Sequence, residues 1–443
     1  MKITCSNVIQ FSATKTTFHF RLSQLLLGLS VCAAVVIMPG CATYSAGFVA
    51  VESATSNRDL DNAIKVLDEL KLSGPDETLH HLNKGTLLRL QEKYTESNKH
   101  FDAAKVLMKK LSAISLTEQV ASVSVNDTLK AYEGLPSEQL MVYSFEALNY
   151  LQMGDAEAAA VEARQFDIEQ GLISKKYPDA KYLSGAFVRY LNGMVYEAAG
   201  DRDAARVEMG KALEGYKKQK SGFPVPQQLE TDFKRLDETG KGSANEVVFI
   251  LHNGLGASIV ENNIHVQNSL YNPKDNSSPL MWSLAVPKFV KRSLPVDHVV
   301  LSVGPYSAKS EVVEDVSGIA EQSFNDRLPV IIARGVARLV VKQSAAQAVK
   351  KQVDNPLFSI VADITTNVSE RADTRSWSLL PGNIQMSRLV LPPGKYDVMA
   401  TYYGAQGNIV GAREFKGVLV KPGQKAFISD YYLHPPAAAK APN

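Results

Sequence analysis

A change in hydrophobic period near residue 220 limits the possible folds of this chain more than any other feature. Residues 58–216 are rich in Ala, Leu, Glu, Lys and Gln at helical spacing, whereas short β-rich runs separated by turn residues follow from Glu246. The intervening segment contains Gly222, Pro224 and Pro226, which break helices. The pattern predicts an α+β chain: a helical domain over 58–216, a linker over 217–245 and a strand-rich domain over 246–433.

The first 40 residues have the organisation of a secretory signal. Lys2, Lys15 and Arg21 precede an apolar run from Leu25 to Met38, and no acidic residue accompanies them. A transmembrane helix needs about 20 apolar residues, so this run is too short to span a bilayer comfortably. The sequence therefore predicts a signal peptide over residues 1–40.

The signal ends in Pro39-Gly40-Cys41, which resembles the lipobox of bacterial lipoproteins. In that family the chain is cleaved before the cysteine, here between Gly40 and Cys41, and lipid is attached to the new first residue. Ala42 follows where an Asp would signal inner-membrane retention. The resemblance implies a lipid-anchored outer-membrane protein. A body that faces the periplasm is the favoured expectation, and a body on the outer surface is the alternative. An ordinary secretory signal with an unrelated cysteine is the alternative.

Charge and cysteine content exclude several function classes. The chain has 48 basic and 46 acidic residues, and loss of three basic signal residues lowers the net charge from +2 to about −1. A nearly neutral protein has no general attraction to nucleic acid, so nucleic-acid partners are excluded. Cys5 and Cys32 lie in the predicted signal and the predicted lipid would occupy Cys41, which would leave no thiol for a disulfide, a zinc site or a nucleophile.

The helical half contains stretches that resemble tetratricopeptide repeats. In the clearest one, residues 190–212, Gly193 and Ala205 let two helices approach and Tyr196 fills the gap between helix pairs. The same frame fits residues 147–163 and, more loosely, residues 85–104. The resemblance implies a curved array that binds a protein segment, with Tyr150 and Tyr196 as candidate aromatic anchors. Core packing of these tyrosines, and a generic helical bundle, are the alternatives.

The segments beside the two halves are less regular. Residues 41–57 are small and polar, which predicts a lipidated tether, and a short helix is expected at 227–238 within the linker. The Pro/Ala-rich tail 434–443 is expected to be disordered. The last part of the strand-rich domain, with turns at Pro392-Pro393-Gly394 and Lys421-Pro422-Gly423, predicts antiparallel hairpins.

A helical block is predicted within the strand-rich half at residues 313–352, with a second helix starting at Asp326. On that helix Arg334, Arg338 and Lys342 fall on one stripe, which favours either an acidic or lipid-phosphate partner or a solvated, salt-bridged face. The adjacent Asp326 and Arg327 are further binding candidates.

No residue pattern establishes a reaction. His252, His265 and His298 lie on or beside predicted strands without metal-ligand spacing, so structural roles are favoured and no metal or cofactor is assigned. His252-Asn253-Gly254 faintly resembles an oxyanion-hole loop, which makes His252 and Asn253 candidate binding residues. A hydrolase of that kind also needs a G-x-S-x-G nucleophile elbow, which the sequence lacks, so no catalytic residue is assigned.

One resemblance covers nearly all of the chain after residue 40. The lipobox, the helical repeats, a strand ending in His-Asn-Gly, the segment VEDVSGIAEQSFNDRLP (313–329) and the segment ARGVAR (333–338) follow in an order similar to a family of uncharacterised proteobacterial lipoproteins. That family has no established activity, so the resemblance implies architecture and location only.

These observations lead to three functional hypotheses. The first is a lipid-anchored scaffold that binds other envelope proteins through its repeats. The second is an enzyme of the strand-rich half that acts on envelope glycan or peptidoglycan. The third is a structural subunit of an oligomeric envelope complex.

Overall fold

The computed structural model describes residues 44–118, 130–219, 225–238, 244–267, 281–352 and 371–433. These described residues belong to one compact unit. The predicted signal with Gly40 and Cys41, and the predicted tail 434–443, lie outside the described residues. Helices occupy the N-terminal half and sheets the C-terminal half, so the predicted order of the two is confirmed.

The N-terminal half is helical. Its helices are α1 (Tyr44–Ser56), α2 (Leu60–Glu69), α3 (Glu77–Leu90), α4 (Tyr94–Glu118), α5 (Pro136–Gln152), α6 (Ala156–Lys176), α7 (Ala186–Ala198), α8 (Arg202–Lys218) and α9 (Gln227–Asp237). Short turns join α3 to α4, α5 to α6 and α7 to α8, and each of these helices packs against the next. The position of α9 agrees with the short helix expected in the linker.

The same Gly-Asp turn closes two of these helix pairs. Gly154 and Gly200 have φ of 77° and 84°, the left-handed conformation that commonly ends a helix. The next residue starts the following helix: the Asp155 carboxylate accepts a hydrogen bond from the N–H of Ala158 (2.9 Å). Asp201 accepts one from Ala204 in the same way (3.0 Å). The local sequence thus determines where each helix stops and the next one begins.

Two glycines allow the paired helices to approach closely. A Cβ on Gly85 of α3 would lie 2.6 Å from the ring of Phe101 on α4. A Cβ on Gly193 of α7 would lie 2.5 Å from the Met209 side chain of α8 and 3.3 Å from the carbonyl oxygen of Ala205. Close packing at Gly193 and Ala205 was expected from the sequence.

The prediction of a tether over residues 41–57 is wrong for residues 44–56, which form α1. Phe48 and Val51 on this helix are completely buried against Leu67 and Leu87 of the neighbouring helices and Leu379 of the C-terminal half. The apolar positions recur at helical spacing, but the intervening Ala, Ser and Gly residues obscure the period in the sequence.

The described strands of the C-terminal half form three sheets. Its strands are β1 (Glu246–Asn253), β2 (Ser258–Gln267), β3 (Met281–Val290), β4 (His298–Val303), β5 (Tyr306–Lys309), β6 (Glu311–Glu314), β7 (Asn383–Val390), β8 (Gly394–Tyr403), β9 (Ile409–Val420) and β10 (Lys425–Tyr432). The first sheet has the order β10-β1-β7-β6, and the second has the order β5-β4-β8-β9. Strands β2 and β3 form a separate antiparallel pair.

The predicted run of C-terminal hairpins is correct only in part. Strands β8 and β9 form an antiparallel hairpin. Strands β7 and β10 instead join the first sheet on either side of β1, and β10 runs parallel to β1 with Glu246 opposite Lys425. Two strands separated by more than 170 residues therefore pair, which a short turn motif cannot indicate.

The helical block in this half is one helix, α10 (Val316–Gln352). The two helices predicted over 313–352 are continuous, with Pro329 inside the element. The predicted start at Asp326 is therefore wrong, because the Asp326 carboxylate accepts a hydrogen bond from the Tyr182 hydroxyl (2.6 Å) instead of capping a new helix.

Strand β1 joins the two halves because both of its faces are buried. Val248 and Ile250 belong to the hydrophobic core formed with the helices. Val247, Phe249 and Leu251 alternate with them and belong to the core between the two four-stranded sheets. Helices, first sheet and second sheet thus form successive layers, and residues before and after the predicted linker share one core.

Buried and partly buried charges reinforce the contact between the helices and the first sheet. We call them the seam cluster: Glu197, Asp232, Arg235, Glu246, Arg388 and Lys425. Arg388 of β7 pairs with Asp232 of α9, and its Nε donates to Glu246 of β1 (2.8 Å). Lys425 of β10 pairs with Glu246 and lies 3.3 Å from Glu197 of α7, which also pairs with Arg235 (2.6 Å). Three cations and three anions balance each other.

A buried carboxyl at the same junction makes stability depend on pH. Glu314 ends β6, and the N–H of Phe187 on α7 donates to it. Burial raises the pKa of Glu314 from 4.5 to about 8. The folded chain therefore retains a proton that the unfolded chain releases, so its contribution to stability falls as pH rises from about 4.5 to 8.

We expect Glu314→Gln to remove this dependence. Relative to the parent protein, the free energy of unfolding of the variant should increase by about 2–4 kcal/mol between pH 5 and pH 8.5. Urea denaturation at both pH values measures this difference in unfolding free energy. The matched control is Glu214→Gln, which changes an exposed carboxylate on α8. An equal response of both variants to pH would contradict this assignment.

Candidate functional site

A polar recess lies where the carboxyl ends of the parallel strands β1 and β10 meet the end of α3. Ligands of α/β proteins commonly bind at such strand ends. The empty volume is about 390 Å³, including the open mouth. We call it the arginine recess and define it by Arg58, Arg89, His252, Arg413, Asp430 and Tyr431.

Arg89 supplies an unbalanced charge to the recess. Its side chain, in the last turn of α3, is 6% exposed. The guanidinium donates to the Asn149 side chain and to Ser429 Oγ (3.0 Å), and it lies 5.9 Å from the ring centre of Tyr94. Burial lowers the pKa of Arg89 to about 10, and it pairs with no carboxylate of the described residues. Such an uncompensated buried cation is unfavourable for folding.

His252 presents a hydrogen-bond acceptor to the same recess. Its side chain is 1% exposed, and its ring stacks on Tyr431 with centroids 5.5 Å apart. Burial, reinforced by the Arg89 charge, lowers the pKa of His252 to about 3, so the ring is neutral. Nδ1 lies 3.4 Å from the Asp430 carbonyl, which only accepts hydrogen bonds, and Nδ1 therefore holds the proton. Nε2 is left with a lone pair and has no partner among the described residues.

The remaining charges of the recess neutralise each other. Arg413 donates to Asp430 (2.6 Å) and to Glu92 (2.8 Å). Arg58 lies 3.9 Å from Asp430 and donates to the Tyr431 carbonyl (3.1 Å). Three arginines face two carboxylates, so the recess has one positive charge in excess. Since Arg413 and Arg58 are the arginines near Asp430, that excess belongs to Arg89.

The backbone is strained at two positions around the recess. Arg58 and Glu92 have φ of 58° and 61°, in the left-handed region that L-residues rarely adopt. Each such residue costs on the order of 1–3 kcal/mol, and strained backbone is frequent around ligand sites. Unbalanced charge and strain therefore occur at the same place.

Of the residues proposed from sequence, the structure places His252 in the recess. Asn253 has a different role, because it is buried and its amide donates to the Val296 carbonyl (2.8 Å) and to Asn383 (3.0 Å). It links the end of β1 to the segment before β4 and to the start of β7, and these hydrogen bonds engage both its amide nitrogen and its amide oxygen. The prediction of Asn253 as a binding residue is therefore wrong.

The basic stripe predicted on α10 is not one open surface. Arg338 is buried and Arg334 is half-buried. Arg327 lies 3.8 Å from Glu133 and Asp326 contacts Tyr182, so both residues attach α10 to the helical half. None of these residues lines the arginine recess. The side chain of Lys342 lies outside the described part of the chain.

The candidate aromatic anchors belong to the core. Tyr196 is buried and packs within the helical core. Tyr150 is half-buried and packs against the same core. The alternative of core packing, which the sequence left open, is correct for Tyr196.

A second buried ionic group has a structural role. Lys105 of α4 pairs with Glu146 of α5 and with Glu162 of α6 (2.7 Å). Burial, followed by the hydrogen bond with Glu162, raises the pKa of Glu146 well above its ordinary value. All three side chains lie inside the helical half, where they link three helices. In the part of the chain that is described, no cluster of His, Cys, Asp or Glu has the arrangement of a metal site.

No sequence pattern indicated the arginines of the recess or Asp430 as site residues. The one local signal is Arg89 itself, a charged residue among Leu87, Leu88 and Leu90 on a helix. A buried charge in such a run requires a partner, and here the polar contacts come from distant elements.

Comparison with known proteins gave no match to any family model, curated protein or solved structure. Within the described ranges, every helix is too short or too polar to cross a membrane.

Two matched substitutions test the charge balance of the recess. Arg89→Met replaces an unpaired buried cation by an apolar side chain of similar length, and we expect a stability gain of about 1 kcal/mol. Arg413→Met leaves Asp430 buried without its closest cation, and we expect a loss of about 1–3 kcal/mol. Chemical denaturation at pH 7 measures both changes. A large loss for Arg89→Met would contradict a binding role and indicate that Arg89 stabilises the fold.

Proposed function

We propose that this protein is a lipid-anchored binding protein of the bacterial cell envelope. It is attached to the outer membrane through lipid on Cys41, faces the periplasm and holds another envelope protein. Support for the anchor comes from the lipobox-like sequence Pro39-Gly40-Cys41. Two or more acyl chains suffice for stable attachment.

The observation that carries the binding role is the buried, unpaired guanidinium of Arg89. Desolvation of a charge is largely offset only when an opposite charge and further hydrogen bonds accompany it. The described residues do not supply that charge, so an anionic group of the partner fits this place. Electrostatic complementarity of this kind contributes specificity and fast association.

The helical half is, in this proposal, a set of three degenerate tetratricopeptide-like repeats, α3/α4, α5/α6 and α7/α8. Support comes from the repeated Gly-Asp turns and from the close approaches at Gly85 and Gly193. The array acts as a rigid support, because its core is continuous with the first sheet. The partner then contacts the strand ends at the recess as well as the repeats.

Photo-cross-linking in the native envelope tests this function. A photoreactive residue at Lys93, which is exposed beside the recess, should give an adduct of defined mass, whereas one at Glu157, exposed on α6, should not. Arg89→Met should remove the Lys93 adduct without changing the protein level. Cys41→Ser should release the protein from the outer-membrane fraction.

Each contrary result has a distinct meaning. A Lys93 adduct that persists in Arg89→Met would exclude the recess as the partner site. An adduct between two copies of the chain would favour the oligomeric-subunit hypothesis instead. A Cys41→Ser protein that is processed identically and still sediments with outer membranes would contradict the lipid anchor.

A further inference from the structure

The arginine recess combines an unbalanced positive charge with an unused hydrogen-bond acceptor. No carboxylate of the described residues pairs with Arg89, and Nε2 of His252 has a lone pair without a partner among them. Both groups lie against the ring of Phe145, whose centre is 5.7 Å from the guanidinium and 5.0 Å from the imidazole centroid. Both residues line the recess, so a ligand that satisfies both must combine an anion with a hydrogen-bond donor.

We propose that the recess binds the C-terminal carboxylate of a peptide together with the amide N–H of its last residue. The carboxylate pairs with Arg89, and the N–H donates to Nε2 of His252. In a peptide these two groups are attached to the same Cα, so a single residue presents both. This inference rests on the proposed function and identifies the group that the partner inserts.

The charge of the recess matches a monoanion. Its excess is one positive charge, which one carboxylate neutralises. A doubly charged phosphate would exceed that balance and would lie near the carboxylates of Glu92 and Asp430, which already line the recess. Tyr94 and Leu90 provide apolar surface for the last side chain. Charge and lining therefore both favour a chain terminus.

A set of four small probes tests this inference on the full chain in detergent at pH 7. N-acetylalanine contains both groups, N-acetyl-N-methylalanine lacks the N–H, N-acetylalanine amide lacks the carboxylate, and inorganic phosphate is a different anion. For a ligand of this size we expect a dissociation constant of roughly 1–10 mM for N-acetylalanine. We expect at least fivefold weaker binding without the N–H, and no detectable binding without the carboxylate.

Two variants assign these effects to residues. Arg89→Met should abolish binding of N-acetylalanine. His252→Phe retains an aromatic ring for the stack on Tyr431 and removes Nε2, so it should eliminate the fivefold difference between the first two probes while carboxylate binding persists. Ligand-detected NMR measures each constant, and circular dichroism verifies that the variants are folded.

The outcomes separate this inference from the function on which it rests. Equal binding of the N-methylated probe would exclude the role of His252, and tighter binding of phosphate would overturn the peptide assignment. If no probe binds while the Lys93 adduct still requires Arg89, the ligand assignment fails and the envelope-binding function stands. If no probe binds and the Lys93 adduct does not require Arg89, both proposals fail.

Discussion

Ion pairing between the helices and the first sheet is the interaction on which the rest of the structure depends. The helical side contributes Glu197, Asp232 and Arg235, with a net charge of −1, and the strands contribute Glu246, Arg388 and Lys425, with a net charge of +1. Neither side is balanced alone, and a buried charge without its partner costs several kcal/mol. Burial of these charges is therefore favourable only when the two halves are packed against each other.

Strands β1 and β10 connect this balance to the candidate site. At their first residues, Glu246 and Lys425 are paired within the seam cluster. Near their C-terminal ends, His252 and Asp430 line the arginine recess, where Arg89 has no anionic partner among the described residues. The same two strands thus have neutralised charges at one end and an excess positive charge at the other. We base the proposed ligand site on that contrast.

The features that local sequence patterns determine were predictable from the sequence. The helix and strand halves, the short helix α9 and the β8–β9 hairpin follow from period and turn residues. The parallel pairing of β1 with β10 depends on tertiary packing over more than 170 residues, so no local pattern indicates it. For the site, His252 was a candidate because of its motif. Arg89 and Asp430 were not candidates, because the residues that contact them lie far away in the sequence.

Hydrogen exchange at increasing urea concentration tests most directly whether the two halves form one folding unit. The account predicts that amides of α7 (Ala186–Ala198) and of β10 (Lys425–Tyr432) lose protection at the same urea concentration, since both depend on the seam cluster and the shared core. Loss of protection in β10 at a clearly lower concentration, with α7 still protected, would contradict it. The recess would then lie between two independent domains.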